Sequence, residues 1–222
     1  MHAFPYVSIS LAFAEKRQPL VGVVYNPFTQ QLYSAIHGQG ATMTAPHPSP
    51  LTPLRAHLSQ EDGQIEQRER TSFEKRKLPL RDPPRPLTGL KGALVAVEWG
   101  NERSGNNWEV KTKTFDSLAG DPSVGGAMVH SLRSLGSAAL NLSAVAAGSL
   151  DCYWEGGFWA WDLAAGYVIL KEAGGILVGA NPGVHDLAVD GRTVLAVRAG
   201  EGGKELVEEF WSHVQGKLEY DL

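Results

Sequence analysis

A chain of 222 residues with an apolar share of 43% can bury one substantial core or two small lobes. A net charge of −4 argues against nucleic acid or an anionic membrane surface as the main partner. The lone cysteine, Cys152, cannot form an internal disulfide, and neither a membrane-spanning apolar run nor a basic-apolar leader is present, so the expectation is a cytoplasmic protein.

The first forty residues read as strands. Val7, Ile9, Leu11 and Phe13 alternate with Tyr6, Ser8, Ser10 and Ala12, the two-residue period of a half-buried strand. A polar turn over 15–19 leads to a second strand at 20–25, closed by Asn26-Pro27. Leu32, Ser34 and Ile36 alternate with Tyr33, Ala35 and His37 in a third. Short turns between consecutive strands predict an antiparallel meander, and a half-buried meander needs something to cover its second face. Residues 45–88 change character: two proline-rich stretches flank a segment of mixed charge with few apolar residues, read here as a mobile surface insertion.

From residue 89 strand and helix patterns alternate. Strands are expected at 93–97, 128–132, 150–155, 176–178 and 194–197, and helices at 106–118, 138–147, 162–173 and 204–218. The alternation implies a largely parallel sheet with helices packed on it. The fold class is therefore α/β, with an antiparallel lobe over 1–44, the insertion over 45–88 and an α/β lobe over 89–222.

Two stretches could carry chemistry. Asp162 stands where an N-cap belongs, at the head of a helix that ends at Gly174-Gly175, and a carboxylate there serves either as a cap or as a ligand for a hard cation. Glu155 precedes it across Gly156-Gly157, where the backbone can approach a ligand closely; read on residue type alone, either carboxylate can equally be solvated. Arg133-Ser134-Leu135-Gly136-Ser137-Ala138-Ala139 places a glycine and small residues at a helix start, whose free N–H groups suit an anion or sugar oxygens; the same composition also describes tight helix–sheet packing. Arg133 is expected as an anchor, Cys152 as packing, and Trp154, Trp159 and Trp161 as core aromatics. Asp121-Pro122 reads as a turn, and the histidines lack zinc-type spacing.

Trp161-Asp162-Leu163-Ala164-Ala165-Gly166 followed by Gly174-Gly175 resembles the C-terminal signature of the inositol monophosphatase family, and 133–139 resembles that family's substrate segment. The meander sequences 4–10 and 22–27 resemble the stretch that follows the family's first metal motif, Asp-Pro-x-Asp-Gly-Thr, which this sequence does not contain. The resemblance implies a layered sandwich and a magnesium-dependent, lithium-sensitive phosphatase, commonly dimeric, acting on inositol monophosphate or a similar sugar phosphate. It implies Mg²⁺ at Asp162, a sugar hydroxyl at Glu155, and substrate seated by the backbone of Gly136, Ser137, Ala138 and Ala139. With the first metal motif missing, the chain is expected to be a family member without its N-terminal part, impaired or inactive as a phosphatase. A non-catalytic binding or dimerisation protein, a bisphosphate nucleotidase and a quinate-pathway relative are the alternatives.

Overall fold

The computed structural model describes residues 4–46 and 72–221. The meander is an antiparallel sheet of five strands in sequential order: β1 Ile9–Glu15, β2 Gln18–Asn26, β3 Gln31–Ile36, β4 Ala41–Pro46 and β5 Phe73–Lys77. The β1–β2 turn tightens onto Lys16 and Arg17, both at positive φ, the conformation that matches a two-residue hairpin to the twist of its strands. β5, and the last two residues of β4, lie where the sequence reading put an insertion. The 45–88 boundary is too wide: β5 pairs along β4 even though all five of its side chains are exposed, so no alternation of burial marks it. Within that expectation, 47–71 lies outside the described residues, while Leu78, just after β5, is buried in the core.

The second sheet runs β7-β6-β8-β10-β9, from β6 Leu94–Val97, β7 Ser131–Arg133, β8 Cys152–Gly156, β9 Ile176–Val178 and β10 Thr193–Val197. It is mixed, not largely parallel. β6 pairs parallel with β7 and β8, but β10 runs antiparallel to both β8 and β9. No helix intervenes between β9 and β10, so their link is a surface loop that allows the reversal.

Helices α1 Asn106–Ala119, α2 Ala138–Ala147, α3 Ala160–Glu172 and α4 Gly203–Ser212 complete the fold. α2 and α3 lie between the sheets, in one core that takes Val24, Tyr33 and Met43 from the meander and Ala96, Tyr153 and Ala196 from the second sheet. Small side chains let the backbones close up. A Cβ at Gly22 of β2 would stand 2.3 Å from the Ala165 carbonyl oxygen of α3, and one at Gly166 would meet Leu142 of α2 at 2.6 Å. The other face of the second sheet, with Val95, Trp154 and Leu195, packs on Val110 and Leu118 of α1 and on Leu206, Phe210 and Trp211 of α4. α4 stops at Ser212, short of the expected 218, and residues 213–221 run on as a tail whose backbone is held by Asn106, Asn107 and Asn181.

The outer face of the meander carries exposed Ile9, Leu11 and Phe13, in register with Tyr25, Val23 and Val21 of β2. The alternation of β1 predicts a half-buried strand, but among the described residues nothing covers this apolar side, so the burial expected of it is not met. Among the described residues no helix is long and apolar enough to cross a membrane.

Candidate functional site

A cavity of about 780 Å³ opens between the start of β1 and the carboxyl ends of β6 and β8. Gly136, Ser137, Ala138 and Ala139 line one side and Glu155 and Asp162 another, so all six predicted site residues share one cavity. Residues distant in the sequence converge there because β6 and β8 are parallel neighbours, and their carboxyl ends open beside the starts of α2 and α3.

Ser137 is the N-cap of α2, its hydroxyl accepting from the Leu140 amide at 3.4 Å. The amides of Ala138 and Ala139 have no hydrogen-bond partner among the described residues, as the first N–H groups of a helix have none within it. These donors at the positive end of the helix dipole suit a ligand oxygen. Asp162 is not the N-cap of α3. That position is Trp159, and Asp162 stands in the first turn, its Oδ2 accepting from the Trp159 amide at 3.0 Å. The carboxylate stabilises the helix start by reaching back, as in a capping box, and Oδ1 accepts no hydrogen bond among the described residues.

Glu155 is largely buried on β8. Burial pushes its carboxyl up to about 7, the nearby charges of Glu98 and Asp162 push the same way, and the Tyr153 hydroxyl that donates to Oε2 and the Lys111 ammonium oppose them. A carboxylate poised between its two forms at neutral pH accepts a sugar hydroxyl when ionised and donates to one when neutral.

Glu98 is a site residue that sequence reasoning missed. It follows β6, is 5% exposed and lines the cavity. Its Oε1 accepts from the amides of Leu135 at 2.7 Å and Gly136 at 2.9 Å and from Asn141 Nδ2 at 2.8 Å, and its Oε2 accepts from Ser134 Oγ at 3.0 Å. One side chain thus fixes the whole turn into α2. The available signal was a charged residue ending the apolar run 93–97, since a glutamate at that depth needs partners.

Other expectations divide. Cys152 is fully buried, which pushes its thiol far up, and Trp154 is core. Trp159 and Trp161, expected in the core, are 45% and 67% exposed and stack on each other at 5.4 Å beside the cavity, because the helix start projects them past the end of the sheet. Arg133 is exposed, and among the described residues it bonds within its own strand, to Ser131 and the Leu132 carbonyl, and not as the anchor expected of it. Asp121 caps a short turn through the Ser123 amide.

Whether a metal fits can be judged from the donor set. Asp162 offers a free carboxylate oxygen, but among the described residues no three His, Cys, Asp or Glu side chains lie close enough together to hold a metal ion. A magnesium cluster needs several oxygen ligands, so these residues do not make one, and no water-activating step is assigned to them.

The chain matches the sequence pattern of the Inositol monophosphatase family over residues 1–215. It is 40% identical over 226 aligned residues to inositol monophosphatase 2 of Saccharomyces cerevisiae, covering 99% of this chain and 65% of that protein. It is 34% identical to quinic acid degradation cluster protein x of Neurospora crassa, covering 99% of this chain and 62% of that one. Among solved structures, SuhB of Mycobacterium tuberculosis aligns with a TM-score of 0.64 at 23% identity over 94% of this chain and 65% of its own. SaIMPase-II with bound inositol monophosphate aligns with a TM-score of 0.61 at 20% identity over 95% and 64%. The chain therefore spans about two thirds of the length of these relatives. By sequence and by fold, it belongs to the inositol monophosphatase family.

Proposed function

We propose that this chain supplies the sugar-phosphate-binding part of an inositol monophosphatase, an enzyme that hydrolyses a phosphomonoester with metal-activated water. The observation that carries this reading is the convergence of Glu155, Asp162 and the free amides at the start of α2 on one cavity. In it, Glu155 takes a sugar hydroxyl, the Gly136 to Ala139 backbone seats the ligand, and Asp162 contributes one oxygen to Mg²⁺. The remaining ligands are not among the described residues. The chain alone is accordingly expected to bind inositol monophosphate but to release phosphate far below roughly 1 s⁻¹.

Calorimetric titration with myo-inositol 1-phosphate, beside a phosphate-release assay with and without Mg²⁺, tests both halves. Absence of binding refutes the substrate reading, and turnover near a normal enzyme's refutes the impairment. A non-catalytic binding protein is the second reading; sedimentation would show whether it assembles as a homodimer. A parallel titration with a bisphosphate nucleotide separates a nucleotidase from an inositol enzyme, and one with a phosphorylated quinate-type acid separates a quinate-pathway relative.

A further inference from the structure

We propose that Arg192 and Lys111, seated against Tyr220 of the C-terminal tail, are positioning residues that fix the connection 156–158 and through it the mutual placement of Glu155 and Asp162. The significance assigned to those two carboxylates rests on the proposed function; the clamp itself does not.

Three successive backbone carbonyls are each held by a cationic side chain. Lys111 Nζ donates to Gly156 O at 2.9 Å, Arg192 Nη2 to Gly157 O at 3.2 Å, and Arg192 Nε to Phe158 O at 3.2 Å. Lys111, 1% exposed, also donates to Trp99 O at 3.1 Å and so ties the ends of neighbouring strands β6 and β8 together. Neither cation forms a close ion pair among the described residues; carbonyl dipoles and aromatic faces contact them directly, and the carboxylate of Glu102 acts on both from further off. The Arg192 guanidinium lies 3.8 Å from the Trp159 ring centre and 5.3 Å from that of Tyr220, and Lys111 Nζ lies 5.5 Å from Tyr220.

Tyr220 is itself fastened, its hydroxyl donating to Glu102 Oε2 at 2.8 Å, and Arg192 Nη1 donates to the Asp221 carbonyl at 3.0 Å. Its ring fills the space beside the glycines: a Cβ at Gly156 would stand 2.6 Å from it and one at Gly157 3.2 Å. Arg192 also occupies the left-handed region, at φ 57°, next to a glycine that would adopt it freely. An arginine in that conformation needs contacts to hold it there, and among the described residues its side-chain hydrogen bonds and ring contacts fall on 157–159 and the tail.

Arg192→Gly removes the side chain and gives the backbone the residue this conformation favours, so the fold itself is spared; Arg192→Lys, which can reach one carbonyl but not two, serves as the milder variant. Hydrogen–deuterium exchange without ligand is read over 155–162 and, for comparison, over α2. Affinity for myo-inositol 1-phosphate is read separately. Arg192→Gly should speed exchange over 155–162 by about tenfold or more with α2 unchanged, and Arg192→Lys should fall between it and the wild type. Affinity should drop by about tenfold in Arg192→Gly. Unchanged exchange over 155–162, or equal acceleration in α2, overturns the positioning role. A wild type that binds no inositol monophosphate sinks the substrate reading instead, and the exchange data still decide the clamp.

Discussion

Glu155→Gln should make this protein more stable at neutral pH while weakening its hold on a sugar. The folded carboxyl titrates at about 7 against an ordinary value of 4.5, a difference worth about 3 kcal/mol of free energy. Between those two values the folded state binds a proton that the unfolded state has released, so wild-type stability falls as pH rises through the window and levels off above it. Glutamine keeps an oxygen to accept from the Tyr153 hydroxyl and never ionises. The stability gap between variant and wild type should therefore widen by about 2 kcal/mol between pH 5 and pH 8, other titrations cancelling in the comparison. At pH 8 a gain of about 3 kcal/mol raises the midpoint by roughly 6–12 °C for a chain of this size. Urea unfolding of both proteins at each pH measures the gap, and a pH-independent gap would refute the assignment of a desolvated, proton-holding Glu155. Loss of inositol-phosphate affinity in the same variant would make this a site where function is kept at the expense of stability.

Glu98→Ala strips the partners from two amides, an asparagine and a serine at once, and should cost about 2–4 kcal/mol together with ligand affinity. Glu98→Gln, which keeps an acceptor for the amides and can donate to Ser134, should retain most of both by denaturant titration and calorimetry. Gly22→Ala forces β2 away from the Ala165 carbonyl and should lower stability by about 1–3 kcal/mol; an unchanged midpoint would show that the sheet and α3 are not in contact there. Cys152 should resist a thiol reagent in the native protein and react only on unfolding, because burial keeps it neutral and covered. Trp161→Ala, at an exposed position, should change stability by less than about 0.5 kcal/mol.

Much of the architecture was readable because local patterns and tertiary demands agree. Alternation in β1 and β3, the Asn26-Pro27 stop of β2, the small residues of α2 and the Gly174-Gly175 stop of α3 each name their element, and Ala138–Ala147 is helical over the predicted span. Where local pattern is silent the reading failed. β5 exposes every side chain, and its existence depends on an open edge at β4 that hydropathy does not register. The antiparallel placement of β10 follows from how a loop returns to the sheet, not from the composition of Thr193–Val197.

The same division runs through the site. The residue types at Glu155, Asp162 and Gly136 to Ala139 follow from sequence, since small residues and a capping carboxylate are needed to begin α2 and α3 whatever lies nearby. Their meeting at one cavity, the burial that holds Glu155 at about 7, and the recruitment of Glu98, Lys111, Arg192 and Tyr220 depend on contacts across long sequence separations. Hydrophobic periodicity acts over a few residues and so fixes which elements form. Desolvation, and the pairing of a glutamate after β6 with amides before α2, exist only once two parallel strands have been brought side by side.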